Sequence, residues 1–159
     1  MREVDRIVEQ FNRAYEGEAW HGPSLLELLQ GVTAEQAAAR VLNDAHSIWE
    51  FVLHIGAWTR ACRRRLEGDR AQLVEAEDWP TVNDTSERAW TEARKAIAQN
   101  LDELRSALSL LDDSRLDQPI IDGMSSVYVT LHGVIQHTLY HAGQIAVLKK
   151  AASERQQHE

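Results

Sequence analysis

The sequence predicts an all-α protein, a four-helix bundle. Three observations lead to this fold class. Apolar residues recur every three or four positions in four long segments, polar stretches with glycine or proline separate these segments, and no stretch shows the alternation typical of a half-buried strand. With 159 residues, 43% of them hydrophobic, the chain is long enough for one domain with a sizeable core. We place that domain at residues 1–151 and a polar tail at 152–159.

The N-terminal third is predicted to hold one long and two short helices. Apolar residues share one helical face over residues 2–16, which predicts the first long helix. Ser24 is a candidate N-cap for the segment SLLELLQ, which ends before Gly31. Thr33 and Gln36 have the spacing of a capping box and predict a further short helix.

The second long helix is expected over residues 47–67, before Gly68. Its first half is apolar on nearly every face, which indicates burial on more than one side. Its last turns carry four arginines. We favour a solvated helix end whose cations suit the negative end of the helix dipole, with an anion-binding patch as the alternative. These arginines are Arg60, Arg63, Arg64 and Arg65.

Residues 69–83, with Trp79 and Pro80, form a long crossover connection that lets the next helix start at either end of the bundle. Asp84 and Glu87 predict the start of the third long helix, which runs to about residue 111. A polar loop follows, with a short extended piece or hairpin near 120–128. The fourth long helix is expected over residues 130–151.

Three histidines stand on predicted inward faces of two long helices. His54 lies in the apolar part of the second helix, and His137 and His141 lie one turn apart on the fourth. Two imidazoles one turn apart can bind one metal ion, and a third from a facing helix would complete a three-nitrogen site with open positions. The alternative is that they are core residues satisfied by hydrogen bonds. The lone Cys62 excludes a cysteine-rich zinc site and is predicted to be a small buried hydrophobe.

Six other residues are candidates for the pocket around these histidines. Glu50 can orient a ligand or act as a base, or lie at the surface; Gln144 can hydrogen-bond a bound water or substrate, or lie at the edge of the bundle face. His46 is a candidate helix cap or a residue at the pocket mouth. Trp58 and His21 are candidate pocket walls. The alternative for His21 is a turn residue that is hydrogen-bonded to the backbone. Tyr140 can offer a phenol near the site, or it can pack between helices. The six are His21, His46, Glu50, Trp58, Tyr140 and Gln144.

Charge and hydropathy exclude several classes of partner. A net charge of −8 and a pI of about 5.4 argue against nucleic-acid binding. No run of about 18 uncharged apolar residues is present, so we expect no membrane span. The N-terminus is charged and amphipathic rather than a signal peptide. Together with the lack of a disulfide, this leads us to expect a cytoplasmic protein.

Three segments carry a resemblance to a known family. The segments AWHGPSLLELL, HSIWEFVLHIGAW and IQHTLYHAGQIAVLKK resemble the DinB-like superfamily of metal-dependent proteins, which includes the YfiT-type proteins. The resemblance implies an up-down-down-up four-helix bundle, often a homodimer. It also implies a divalent metal, zinc or nickel, held here by His54, His137 and His141.

The resemblance also points to a class of chemistry. Members of known activity use low-molecular-weight thiols, as thiol-dependent S-transferases or as a mycothiol-dependent maleylpyruvate isomerase. We therefore predict a metal-dependent thiol transferase with a small-molecule substrate. The alternatives are a metal-dependent hydrolase, against which the shortage of an evident carboxylate counts, and a non-catalytic metal- or ligand-binding stress protein.

Overall fold

The structure is a computed structural model that describes residues 1–42 and 44–156. The predicted all-α class is confirmed, because the described residues form helices and no strand. A single 3-10 turn at Asp113–Arg115 follows the sixth helix. The α-helices in the described part of the chain are α1 (Glu3–Tyr15), α2 (Leu25–Leu29), α3 (Ala34–Ala38), α4 (Ile48–Leu66), α5 (Glu75–Asp78), α6 (Glu87–Ser109) and α7 (Val127–Gln156).

The long helices form a bundle around one hydrophobic core. Helix α4 packs against both α6 and α7, and α1 packs against the same two helices. The short helices α2 and α3 cover the edges of this arrangement, against α7 and α4 respectively. The side chains at the centre are fully buried and include Phe11, Ile55, Trp90, Leu104 and Ile145. The apolar stripes of the sequence are therefore the faces that meet in the core.

Side-chain caps define where several helices begin. The hydroxyls of Ser24, Thr33 and Ser47 each accept a hydrogen bond from the backbone N–H three residues later, at 3.4, 3.2 and 3.2 Å. At α6 the predicted start is wrong by two residues. Ser86 is the N-cap, and Asp84 instead accepts a hydrogen bond from the Ser86 backbone N–H at 2.9 Å. Either acidic or hydroxyl side chains can cap a helix, so the sequence offered two equivalent starts.

Helix α7 is longer at both ends than predicted. It begins at Val127, directly after a turn closed by one antiparallel bridge between Pro119 and Ser126, so the predicted hairpin shrinks to this single bridge. It runs to Gln156, and Ala152 is buried in the core, so much of the predicted polar tail is helical. Residues 157–159 lie outside the described residues. No helix in the described part, α7 included, has the length and apolarity needed to cross a membrane.

The crossover between α4 and α6 does not run as an open loop. It contains the short helix α5, whose C-terminal end brings Asp78 and Trp79 against α4 beside His54. The connection thereby covers one side of the predicted histidine cluster.

Candidate metal centre

Three imidazoles converge between α4 and α7. His54 comes from α4, and His137 and His141 come from α7, one turn apart. The Nε2 atom of His137 lies 2.9 Å from Nε2 of His54 and 3.1 Å from Nε2 of His141. His54 and His141 are buried, at 5% and 7% exposure, and His137 is half-buried. The structure therefore brings together the three histidines that the sequence singled out.

The tautomer of His54 is fixed by the connection after α5. Its Nδ1 lies 2.7 Å from the backbone carbonyl oxygen of Asp78 and 3.0 Å from the Asp78 carboxylate. Both of these groups can only accept, so Nδ1 carries the proton and donates it. The lone pair of His54 is then on Nε2, which points at the other two histidines.

Gln144 does the same for His141. The Nδ1 of His141 lies 2.6 Å from the side-chain oxygen of Gln144, one turn further along α7. The amide oxygen accepts from Nδ1–H, and the Nε2 lone pair of His141 faces inward. Gln144 was predicted from the sequence to bond a water or substrate; here it holds a candidate ligand instead.

His137 lies between the other two and is uncharged at neutral pH. Burial, with help from the neighbouring His141 and His54, lowers the pKa of His137 to about 4. Burial also lowers the pKa of His141. Within the described residues, the Nδ1 atom of His137 is buried with no hydrogen-bond partner. Neutral imidazoles are the form in which histidine binds metals.

This donor set fits a divalent metal. Two of the three Nε2 atoms carry lone pairs, and a proton on the third, that of His137, can serve only one of its two neighbours. At least one close nitrogen pair therefore has no hydrogen atom between its two nitrogens, and a cation at the centre would relieve this unbonded contact by drawing the lone pairs to itself. The observed separations of 2.9 and 3.1 Å are near the about 3.3 Å that two nitrogens bound tetrahedrally to one zinc ion would have.

The comparison with known families agrees with this geometry. The family model described as the DinB superfamily matches residues 19–145, most of the chain and all three histidines. The chain belongs to the DinB superfamily. Comparisons with curated proteins and with solved structures find no match. Membership accounts for the helical fold, whereas the chemistry of this DinB-superfamily protein depends on the residues of its site.

A tryptophan that the sequence analysis did not place covers the histidines. The Trp79 ring stacks on His54 at 3.8 Å and on His46 at 3.6 Å, nearly parallel to both. It therefore shields one face of the His54 imidazole from water. Neither Trp79 nor Asp78 was predicted at the site; the only signal in the sequence was a large aromatic residue in an otherwise polar connection.

Trp58 lines a cavity that opens beside His137. Its Nε1–H donates to the Asp78 carboxylate at 2.7 Å, and its ring lies edge-on to His137 with centroids 6.0 Å apart. The cavity has a volume of about 320 Å³, at the lower end of the range for small-molecule sites. Its walls are mostly apolar and come from α4, α7 and the turn before α7. They include Trp58, Cys62, Val129, Gly133, Val134 and His137.

The structure assigns the two candidates at the start of α4 to the helix cap and to the edge of the site. Glu50 accepts from the Ser47 backbone N–H at 2.7 Å and pairs with Arg40, so its carboxylate belongs to the helix cap and does not orient any of the three candidate ligands. The cap itself is Ser47 rather than His46. His46 stacks on the outer face of Trp79 and so lies at the edge of the covered site.

The remaining two candidates lie outside the cluster. His21 is exposed and lines a separate depression with Trp20 and Leu139, because α7 stands between that loop and the cavity beside His137. Tyr140 is 67% exposed and packs at a steep angle against the His141 ring, with ring centroids 5.1 Å apart, so its phenol lies at the surface of the bundle.

Proposed function

We propose that this DinB-superfamily protein holds a divalent metal, zinc or nickel, on His54, His137 and His141 and transfers a low-molecular-weight thiol to a small electrophile. The observation that carries the proposal is the convergence of three imidazole Nε2 atoms beside a mostly apolar cavity. Imidazole ligands suit zinc and nickel, and as uncharged ligands they leave the positive charge of the ion uncompensated. A metal bound there would supply a Lewis acid that lowers the pKa of a bound thiol.

The residues around the histidines keep this site rigid and dry. The Asp78 carbonyl and the Gln144 amide hold the imidazoles of His54 and His141 in the ligand tautomer. Trp79 covers His54, and Trp58 forms the wall next to His137. Exclusion of water by these rings would strengthen the interaction of a thiolate with a cation.

The balance of the reaction is simple. The thiol releases its proton to solvent, its sulfur forms a bond to the electrophilic carbon, and the leaving group departs with the electron pair of the bond that breaks. No separate base is needed once the thiol is ionised.

The state of the nearest carboxylate favours thiol transfer over hydrolysis. Asp78 is beside the centre, but its side chain already accepts from Trp58 and lies against the outer nitrogen of His54. A hydrolase needs a free group to orient or deprotonate water. Glu50, the other acidic candidate, is committed to the helix cap and Arg40.

Three further features belong to this proposal. Family membership supports an up-down-down-up order of the four long helices and a homodimer. We also propose a cytoplasmic location, since low-molecular-weight thiols are kept reduced there.

The proposal is tested by mixing zinc- or nickel-loaded protein with glutathione, cysteine or mycothiol and monochlorobimane as the electrophile. We expect at least one thiol to react faster with wild-type protein than with the His137→Ala variant, and we expect a chelator to abolish this difference in rate. No thiol reacting above the His137→Ala control would refute transferase activity. Ester hydrolysis that needs no thiol and is abolished by a chelator would identify a hydrolase instead. Tight metal binding without turnover of any substrate would identify a binding protein.

A further inference from the structure

The cavity beside His137 ends at an arginine. Arg65 lines the same cavity, eleven residues after His54 on α4, which places its Cα about 16 Å further along the helix axis on nearly the same face. On the facing helix, the lining runs from His137 back to Val129, a distance of about 12 Å. The cavity is thus elongated, with His137 at one end and the Arg65 cation at the other.

Arg65 differs from the adjacent Arg63 and Arg64 in having no acidic partner among the described residues. Arg63 pairs with Glu67, and Arg64 pairs with Asp69. Arg65 donates its Nε–H to the Ala71 carbonyl at 3.0 Å, and within the described residues no carboxylate lies within ion-pair distance of it and no group accepts from its Nη atoms. Four N–H donors of a half-buried guanidinium are therefore left for a ligand.

The orientation of this guanidinium is already set. Its central carbon lies 5.6 Å from the centre of the Trp58 ring, and Trp58 is itself held by its hydrogen bond to Asp78. Stacking on an aromatic face leaves the in-plane donors of arginine free. The Nε–H bond to Ala71 fixes the remaining rotation. Arg65 is therefore pre-organised, which lowers the entropic cost of binding an anion.

We propose that the cavity binds an elongated small molecule whose carboxylate is bound by Arg65, whose apolar middle lies along Trp58, and whose other end reaches the histidines. A single planar carboxylate matches the single positive charge and the forked donors of one arginine. The assignment revises the expectation that all four arginines at this helix end are solvated. It rests on the proposed function only for the thiol at the histidine end.

The test is a comparison of matched probes by isothermal titration calorimetry. The probes are 8-mercaptooctanoate and 8-mercaptooctan-1-ol on zinc-loaded protein, and octanoate and octan-1-ol on metal-free protein. The variants are Arg65→Gln and, as the control, Arg60→Gln, which removes an exposed arginine from the same helix. Circular dichroism and thermal melting verify that both variants fold.

We expect wild type and Arg60→Gln to bind each carboxylate about tenfold more tightly than the matching alcohol, as a charge-assisted hydrogen bond at a half-exposed site would give. In Arg65→Gln the ratio should fall to about one, with alcohol binding unchanged. The assignment would be overturned if wild type bound the carboxylates and the alcohols equally well, or if no probe bound at all. It would also be overturned if the preference for the carboxylates persisted in Arg65→Gln.

The two sets of probes separate this inference from the proposed function. If the thiol group adds no zinc-dependent affinity while octanoate still prefers wild type to Arg65→Gln, thiol chemistry at the metal fails and the carboxylate site stands. If zinc-dependent thiol binding is found with no preference for the carboxylate probes, thiol binding at the metal stands and the carboxylate site at Arg65 fails.

Discussion

The Asp78 carboxylate is the charge closest to the candidate metal ligands, and its removal is a direct test of how the centre is built. In Asp78→Asn the backbone carbonyl still accepts from His54 Nδ1, at 2.7 Å in wild type. The asparagine side-chain oxygen can also accept from Trp58 Nε1, as the carboxylate does at 2.7 Å. The substitution therefore removes the negative charge 3.0 Å from His54 Nδ1 and leaves the hydrogen-bond geometry in place.

The expected magnitude follows from this partial replacement. Loss of the partner of a metal-bound histidine typically costs about 10- to 100-fold in metal affinity. Because the Asp78 carbonyl keeps His54 oriented, we expect the low end, about tenfold weaker zinc binding, or about 1.4 kcal/mol. Asp78→Ala, which also releases Trp58, should weaken binding further.

The assay is competition for zinc against a chromogenic chelator of known affinity at pH 7.5. Glu75→Gln is the matched control, since it removes the same charge from the exposed side of the same short helix. Equal zinc affinity for Asp78→Asn and Glu75→Gln would refute the argument that this carboxylate supports His54.

Three further predictions follow from named contacts. The free energy of unfolding of metal-free protein should fall as pH drops from 6.5 to 4. The reason is that this histidine takes up a proton in the unfolded chain, whereas folded His137, with its pKa of about 4, does not. After allowance for partial exposure we expect a fall of about 1–2 kcal/mol, and this contribution should be absent in His137→Asn. Tyr15→Phe should cost about 1 kcal/mol in urea unfolding, because the Tyr15 hydroxyl contacts Thr59 and Thr138 but both threonines also donate to backbone carbonyls of their own helices. Gln144→Leu should weaken zinc binding about tenfold by removing the acceptor of His141 Nδ1–H.

Each of these has a contrary outcome. An identical pH dependence in His137→Asn would mean that His137 is not held neutral by burial. Unchanged stability in Tyr15→Phe would show that the buried hydroxyl cluster contributes nothing net. Wild-type zinc affinity in Gln144→Leu would mean that His141 finds its orientation from packing alone.

The fold was predictable where periodicity and caps agree. The stripes of α1, α4, α6 and α7 each had to face a core, and the caps at Ser24 and Thr33 bind the backbone N–H groups that their spacing predicts. The start of α6 was missed because Asp84 and Ser86 are both good capping residues, and only the loop path decides between them. The extension of α7 to Gln156 was missed because a polar terminal turn has weak periodicity, although Ala152 is buried by its neighbours.

The site was predictable in its ligands and not in its surroundings. Helix geometry places His137 and His141 on one face, and the apolar neighbours of His54 turn it inward. Asp78 and Trp79 lie in the connection between α4 and α6, whose path cannot be read from any periodicity in the sequence. Their position beside His54 is set by the tertiary packing of this connection. Glu50 was a candidate because it lies one turn before His54, but its carboxylate bonds to the helix cap. His21 was a candidate pocket wall, but its loop lies on the other side of α7.

Elemental analysis measures whether the three histidines hold a metal. Wild type, His54→Ala and His137→Ala are purified without nickel resin, dialysed against zinc and then against buffer, and measured for metal per chain. We expect about one divalent ion per wild-type chain and close to none in either folded variant. A folded wild type that retains no metal after this treatment would contradict this expectation and make the three imidazoles polar residues of a helical core.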